Sequence, residues 1–78
     1  MNEIKELVEN DKVFFGVRET IRNAKNVERV IVPSDCRQKS KEMLEKSNLE
    51  LEFVEFSKQE LVEKLGIEFQ CEVFGVKK

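Results

Sequence analysis

The segment Phe15-Gly16-Val17-Arg18-Glu19-Thr20-Ile21-Arg22 carries the residue types best suited to meet a ligand. An apolar run stops, a glycine turns the chain, and helical spacing begins. A helix start offers free backbone N–H groups and the positive end of the helix dipole, both attractive to phosphate. Gly16 has no side chain, so the backbone of a ligand can come close. Val17, Thr20, Ile21 and Ala24 recur at i, i+3, i+4 and i+7. That spacing turns them inward and leaves Arg18, Glu19 and Arg22 together on the outer face, with the two arginines one turn apart. Two cations so near a helix start oppose the dipole at about 0.3–1 kcal/mol each. Glu19 offsets part of this. A local misfit of this kind points to an anion contact; the plainer reading is a solvated helix face.

Enzymatic chemistry is poorly served. The chain has no histidine, and no P-loop, GxGxxG or G-x-S-x-G pattern is present. The series Glu50, Glu52, Glu55 reads as the wet side of a strand rather than a catalytic set. Cys36 and Cys71 are far apart in sequence and lack the close Cys or His neighbours that zinc requires, so they read as small buried apolar residues. Phe14 or Phe15 could stack on a base, although core is the simpler role for both. These features predict a non-enzyme with no cofactor and no metal.

The elements that must position this segment follow from two alternating periodicities. Ile4, Leu7 and Val8 predict a short amphipathic helix, closed by a turn at Asn10-Asp11. Val13-Phe14-Phe15 predicts a strand ending at Gly16, and a second helix follows. Val27–Val32 has the length and β-branching of a buried strand, ended by Pro33. Ser34 or Asp35, with Gln38 at the capping-box position after Asp35, predicts the start of a third helix. Cys36, Ser40, Met43, Leu44 and Ser47 would form its inner face. Leu49, Leu51 and Phe53 alternate with glutamates, as in a strand near a sheet edge. Ser57-Lys58-Gln59-Glu60 is a capping box, so a fourth helix begins there, with Leu61, Val62 and Leu65 inside and Gly66 as its stop. Phe69, Cys71 and Val73 predict a last strand running on towards Val76. Strands alternating with helices imply an α/β fold layered on a four-stranded sheet.

Length and composition agree. The 78 residues suffice for one domain, spanning 1–78. Hydrophobic residues at 40% can supply a core, which argues against disorder. No apolar run approaches about 18 residues, and the charged N-terminus lacks a signal-peptide core, so a cytoplasmic protein with no membrane partner is expected. The net charge of −2 counts against nucleic-acid binding unless charge is segregated. It is unevenly spread: residues 16–29 hold Arg18, Arg22, Lys25 and Arg29 against Glu19 and Glu28, whereas 50–63 hold five glutamates against Lys58.

The Gly16 to Arg22 stretch resembles the signature of the kink-turn-binding ribosomal proteins, the L-seven-Ae and L-thirty-e type: glycine, any residue, Asn/Lys/Arg, Glu/Gln, two residues, Lys/Arg. Val30-Ile31-Val32-Pro33-Ser34-Asp35-Cys36 is similar to that family's strand ending in an Ala/Ser-Asp/Asn-Cys/Ala step. Leu65-Gly66-Ile67-Glu68-Phe69 looks like its Gly-Leu/Ile-Glu-Val loop before the last strand. The matches span about residues 13 to 76. The resemblance implies a three-layer α-β-α sandwich around a four-stranded mixed sheet. It also implies binding of kink-turn or related internal-loop RNA, including ribosomal RNA, by a monomer that does not bind DNA. Gly16, Val17, Arg18, Glu19 and Arg22 would face sheared G·A pairs and nearby phosphates. Glu19 would accept from base amino groups, with the arginines donating to base acceptors or phosphates. Ile67, Glu68 and Phe69 would lie in the loop covering a flipped-out nucleotide. Val62 departs from the family, where many members carry glycine, and Glu68 and Glu72 would add negative charge near the RNA face. Domains of the same fold also end peptide-release and ribosome-rescue factors, where they contact proteins, and the acidic balance favours that alternative.

Overall fold

β-branched and aromatic runs form the strands of this protein, and amphipathic stripes form its helices. The computed structural model describes residues 2–78. Helix α1 (Asn2–Glu9) leads into strand β1 (Val13–Phe15) and helix α2 (Val17–Arg22). A 3-10 turn at Ala24–Asn26 precedes β2 (Val27–Val32), α3 (Gln38–Lys46), β3 (Leu51–Phe53), α4 (Lys58–Leu65) and β4 (Phe74–Lys77). The alternation predicted from sequence is the one observed. Among the described residues no helix is long and apolar enough to cross a membrane.

The sheet order is β1-β4-β2-β3. β4 runs antiparallel to both neighbours, with Phe14 opposite Gly75 and Ile31 opposite Phe74, while β2 and β3 are parallel, with Val30 opposite Leu51. Strands β1, β2 and β3 therefore all point the same way. Their C-terminal ends, the starts of α2, α3 and α4, and the approach to β4 all gather at one end of the sheet.

Side chains alternate across a strand, and both faces here are covered. Ile31, Phe74 and Val76 pack with Ile4 of α1 and with Leu61 and Leu65 of α4. Val30, Val32 and Val73 pack with Leu44 of α3, against Phe14, Val17 and Ile21. The result is a three-layer α-β-α sandwich around a mixed sheet. Val30, Ile31 and Val32 lose all solvent contact because β2 is central, which explains its unbroken apolar run.

Several local expectations are corrected. The last strand begins at Phe74 rather than Phe69, and residues 67–73 form a connecting segment. Its apolar alternation reflects anchoring: Cys71 drops into one core and Val73 into the other. Asp35 does not cap α3. The N-cap is Arg37, without a side-chain hydrogen bond, and Gln38 completes no capping box. Asp35 is instead turned towards α4, where its Oδ1 accepts from the Lys58 N–H at 2.9 Å. Helix α2 stops at Arg22, which leaves Ala24 in the 3-10 turn. Met43 is 40% exposed and Phe53 61%, so neither is core. Phe53 ends an edge strand with a neighbour on one side only, and the Lys41 ammonium lies 6.0 Å from its ring centroid. The capping box of α4 forms as expected, and Gly66 closes that helix at φ 67°.

Candidate nucleic-acid interface

Gly16 sits at φ 92°, a conformation that L side chains rarely adopt, so the turn between β1 and α2 requires glycine. Thr20 then fixes how α2 leaves the sheet. It is fully buried, and its hydroxyl donates to the Gly16 carbonyl at 2.7 Å. With Thr20, Val17 and Ile21 turned to the sheet, Arg18, Glu19 and Arg22 are exposed on the outer face, as their spacing predicts. Arg22 Nη1 lies 3.7 Å from Glu19 Oε2, and the Asn23 side-chain amide donates to Glu19 Oε1 at 3.3 Å. The Glu19 carboxylate is thus held by its own helix. Among the described residues Arg18 makes no ion pair.

This edge of α2 forms one wall of an open groove of about 610 Å³, where Phe15, Gly16, Val17, Arg18 and Glu19 face α3. The opposite wall is Arg37, Lys39, Ser40 and Met43, and Glu72 completes the lining. Four of the residues expected at the site, Gly16 through Glu19, line the groove, and Arg22 stands one turn further along the same exposed face. The 67–69 loop joins from the side. The Phe69 ring meets Phe15 edge-on at 5.3 Å between centroids, and Phe15 in turn meets Phe74 at 6.0 Å. Phe69 is 52% exposed, so much of its ring stays open to solvent where it meets Phe15. Ile67 packs against the α1/α4 core instead, and Glu68 is solvent-exposed.

Sequence reasoning missed Arg37, Lys39 and Met43. They belong to no motif, and the one available signal was topological: parallel β1 and β2 must deliver α2 and α3 to the same end. Glu72 is not the unneutralised charge that its position suggested. Its Oε2 accepts from Arg37 Nε at 2.6 Å and its Oε1 from Lys58 Nζ at 3.1 Å. Burial alone would push this carboxyl up, but the hydrogen bonds from Arg37 and Lys58 outweigh it and hold the pKa below the ordinary 4.5. Arg29, counted above among the basic residues, is neutralised by Glu3, Glu28 and Glu52 at 2.9, 3.5 and 3.2 Å. Its buried Nε lies near Glu52 without hydrogen-bond alignment.

No family model and no curated protein matches this chain. A solved structure of a protein with unknown function from Bacillus halodurans C is similar to it, with 22% identity, a TM-score of 0.67, and coverage of 90% of this chain and 75% of that one. At that identity the likeness concerns the fold.

Proposed function

We propose that this protein is a small RNA-binding protein that recognises kink-turn or related internal-loop RNA, in a ribosomal or ribosome-associated setting. The observation that carries the reading is the groove at the C-terminal end of β1. Arg18 on one wall and Lys39 on the other have no ion-pair partner among the described residues, and the half-exposed Phe69 lies against Phe15 of the groove lining. Cations placed to meet phosphates would fix the register of a bent backbone, and Glu19 would accept from exposed base amino groups. An aromatic face can stack on an unpaired base. A non-enzymatic, cytoplasmic role follows from the same reading.

Binding to a generic kink-turn duplex at about 0.1 M salt, measured by calorimetry, tests this. Arg18→Ala and Glu19→Ala each weaken binding by roughly 1–3 kcal/mol. A straight duplex of equal charge binds much more weakly. Equal affinity for the two duplexes overturns the proposal.

One observation favours a second reading, a protein-interaction module like the end domains of release or rescue factors. β3 is an edge strand, and Phe53 at its end is exposed. An open strand edge with an apolar side chain suits pairing with an extended segment of another protein. Loss of partner binding on Phe53→Asp, with RNA binding absent, would decide for it.

A further inference from the structure

Glu72 lies where the starts of two helices meet the approach to β4, and only 12% of its side chain is exposed. Three donors converge on its carboxylate: Arg37 Nε at 2.6 Å, Lys58 Nζ at 3.1 Å and the Arg37 backbone N–H at 3.4 Å. Both its oxygens are therefore engaged by charged donors, the arrangement a phosphate would take in the same place. The groove is lined by three cations, Arg18, Arg37 and Lys39, and two anions, Glu19 and Glu72. Glu72 balances the charge of Arg37 through Nε, although that side chain stays 76% exposed, and it also holds Lys58, which lies outside the groove lining. Lys58 is further fixed through its backbone, whose N–H meets Asp35. A ligand entering between α2 and α3 thus finds Arg18 and Lys39 available, and a third cation, Arg37, whose charge is already balanced by the protein's own carboxylate.

Resting on the RNA reading above, we propose that Glu72 is a built-in counter-anion that determines specificity. It offsets the charge of Arg37 and so lowers the groove's general attraction for polyanions. Recognition is thereby left to the shape of the bent backbone against Gly16, Arg18, Glu19 and Lys39. Affinity is lowered for every nucleic acid, and most for one that offers only charge.

Glu72→Gln keeps the side-chain shape and removes the charge. Its affinity for a straight duplex rises by about tenfold, more than for a kink-turn duplex, so the preference between them narrows. In thermal-shift measurements, inorganic phosphate stabilises the variant and not the wild type. A straight-duplex affinity within about twofold of wild type, together with no phosphate response, overturns the proposal. If neither protein prefers the kink-turn but the variant still gains the phosphate response, the counter-anion stands and the RNA reading falls. Arg37→Gln supplies the check that needs no folded Glu72 variant. Because Glu72 already holds Arg37, this change leaves the slope of wild-type RNA affinity against salt unaltered, whereas Arg18→Ala reduces that slope by about 1. An equal reduction from both overturns the proposal.

Discussion

Asp35 Oδ1 accepts a hydrogen bond from the backbone N–H of Lys58 at 2.9 Å, although 23 residues separate them. The carboxylate just before α3 therefore caps α4. Parallel β2 and β3 make this reachable, because both deliver the chain to the same end of the sheet. The start of α4 is then satisfied three times: by Asp35, by the Ser57 hydroxyl accepting from the Glu60 N–H at 3.1 Å, and by Glu60 accepting from the Ser57 N–H at 2.9 Å.

Asp35→Ala should lower stability by roughly 0.5–2 kcal/mol, the usual range for a lost cap, while Asp35→Asn retains most of it. Urea unfolding measures both. An unchanged midpoint for the alanine variant would show that the contact contributes nothing.

Gly75 faces Thr20 so closely that an added Cβ would meet Thr20 Oγ1 and Cγ2 at 2.8 Å. Thr20 cannot yield easily, since its hydroxyl is tied to Gly16. Gly75→Ala should cost about 1–3 kcal/mol through overpacking. Adding Thr20→Ala should recover part of that loss, giving a favourable coupling in a double-mutant cycle. Strictly additive effects would rule out the clash.

The Glu72 carboxyl has a depressed pKa in the folded protein. A lowered folded value means that its stabilising contribution is complete above the ordinary 4.5 and is lost as pH falls through the lower folded value. Wild type should therefore lose stability on acidification below 4.5 more steeply than Glu72→Gln, with the two curves running parallel near neutrality. Parallel acid limbs would contradict the ion-pair assignment.

Burial pushes the Cys71 thiol up to about 11 and raises Cys36 as well, where Glu72 adds to the effect of burial. At pH 8 only about one Cys71 in a thousand is thiolate, so a disulfide reagent should react slowly with the native protein and rapidly in denaturant. Prompt release of two equivalents from native protein would place the thiols elsewhere than in the core.

Much of the fold was legible because helices and strands announce themselves locally. Ile4, Leu7 and Val8 define the inner stripe of α1, and Ser57 with Glu60 marks the start of α4 to the residue. Three expectations failed for one shared reason. The apolar alternation from Phe69 to Val73, the inward reading of Met43 and the capping role given to Asp35 each treated a local pattern as sufficient. Partners distant in sequence decided all three. Phe69 lies against Phe15, Met43 lines the groove opposite α2, and Asp35 turns to Lys58.

By itself, the sequence determined the order in which helices and strands alternate, and that Arg18, Glu19 and Arg22 share an outer face, since periodicity and capping act over three or four residues. Only the tertiary structure decided that α3 forms the second wall of the groove, and that Glu72, 35 residues from Arg37, pairs with that one of its cations. Those pairings depend on strand order and direction, which no single stretch of residues encodes.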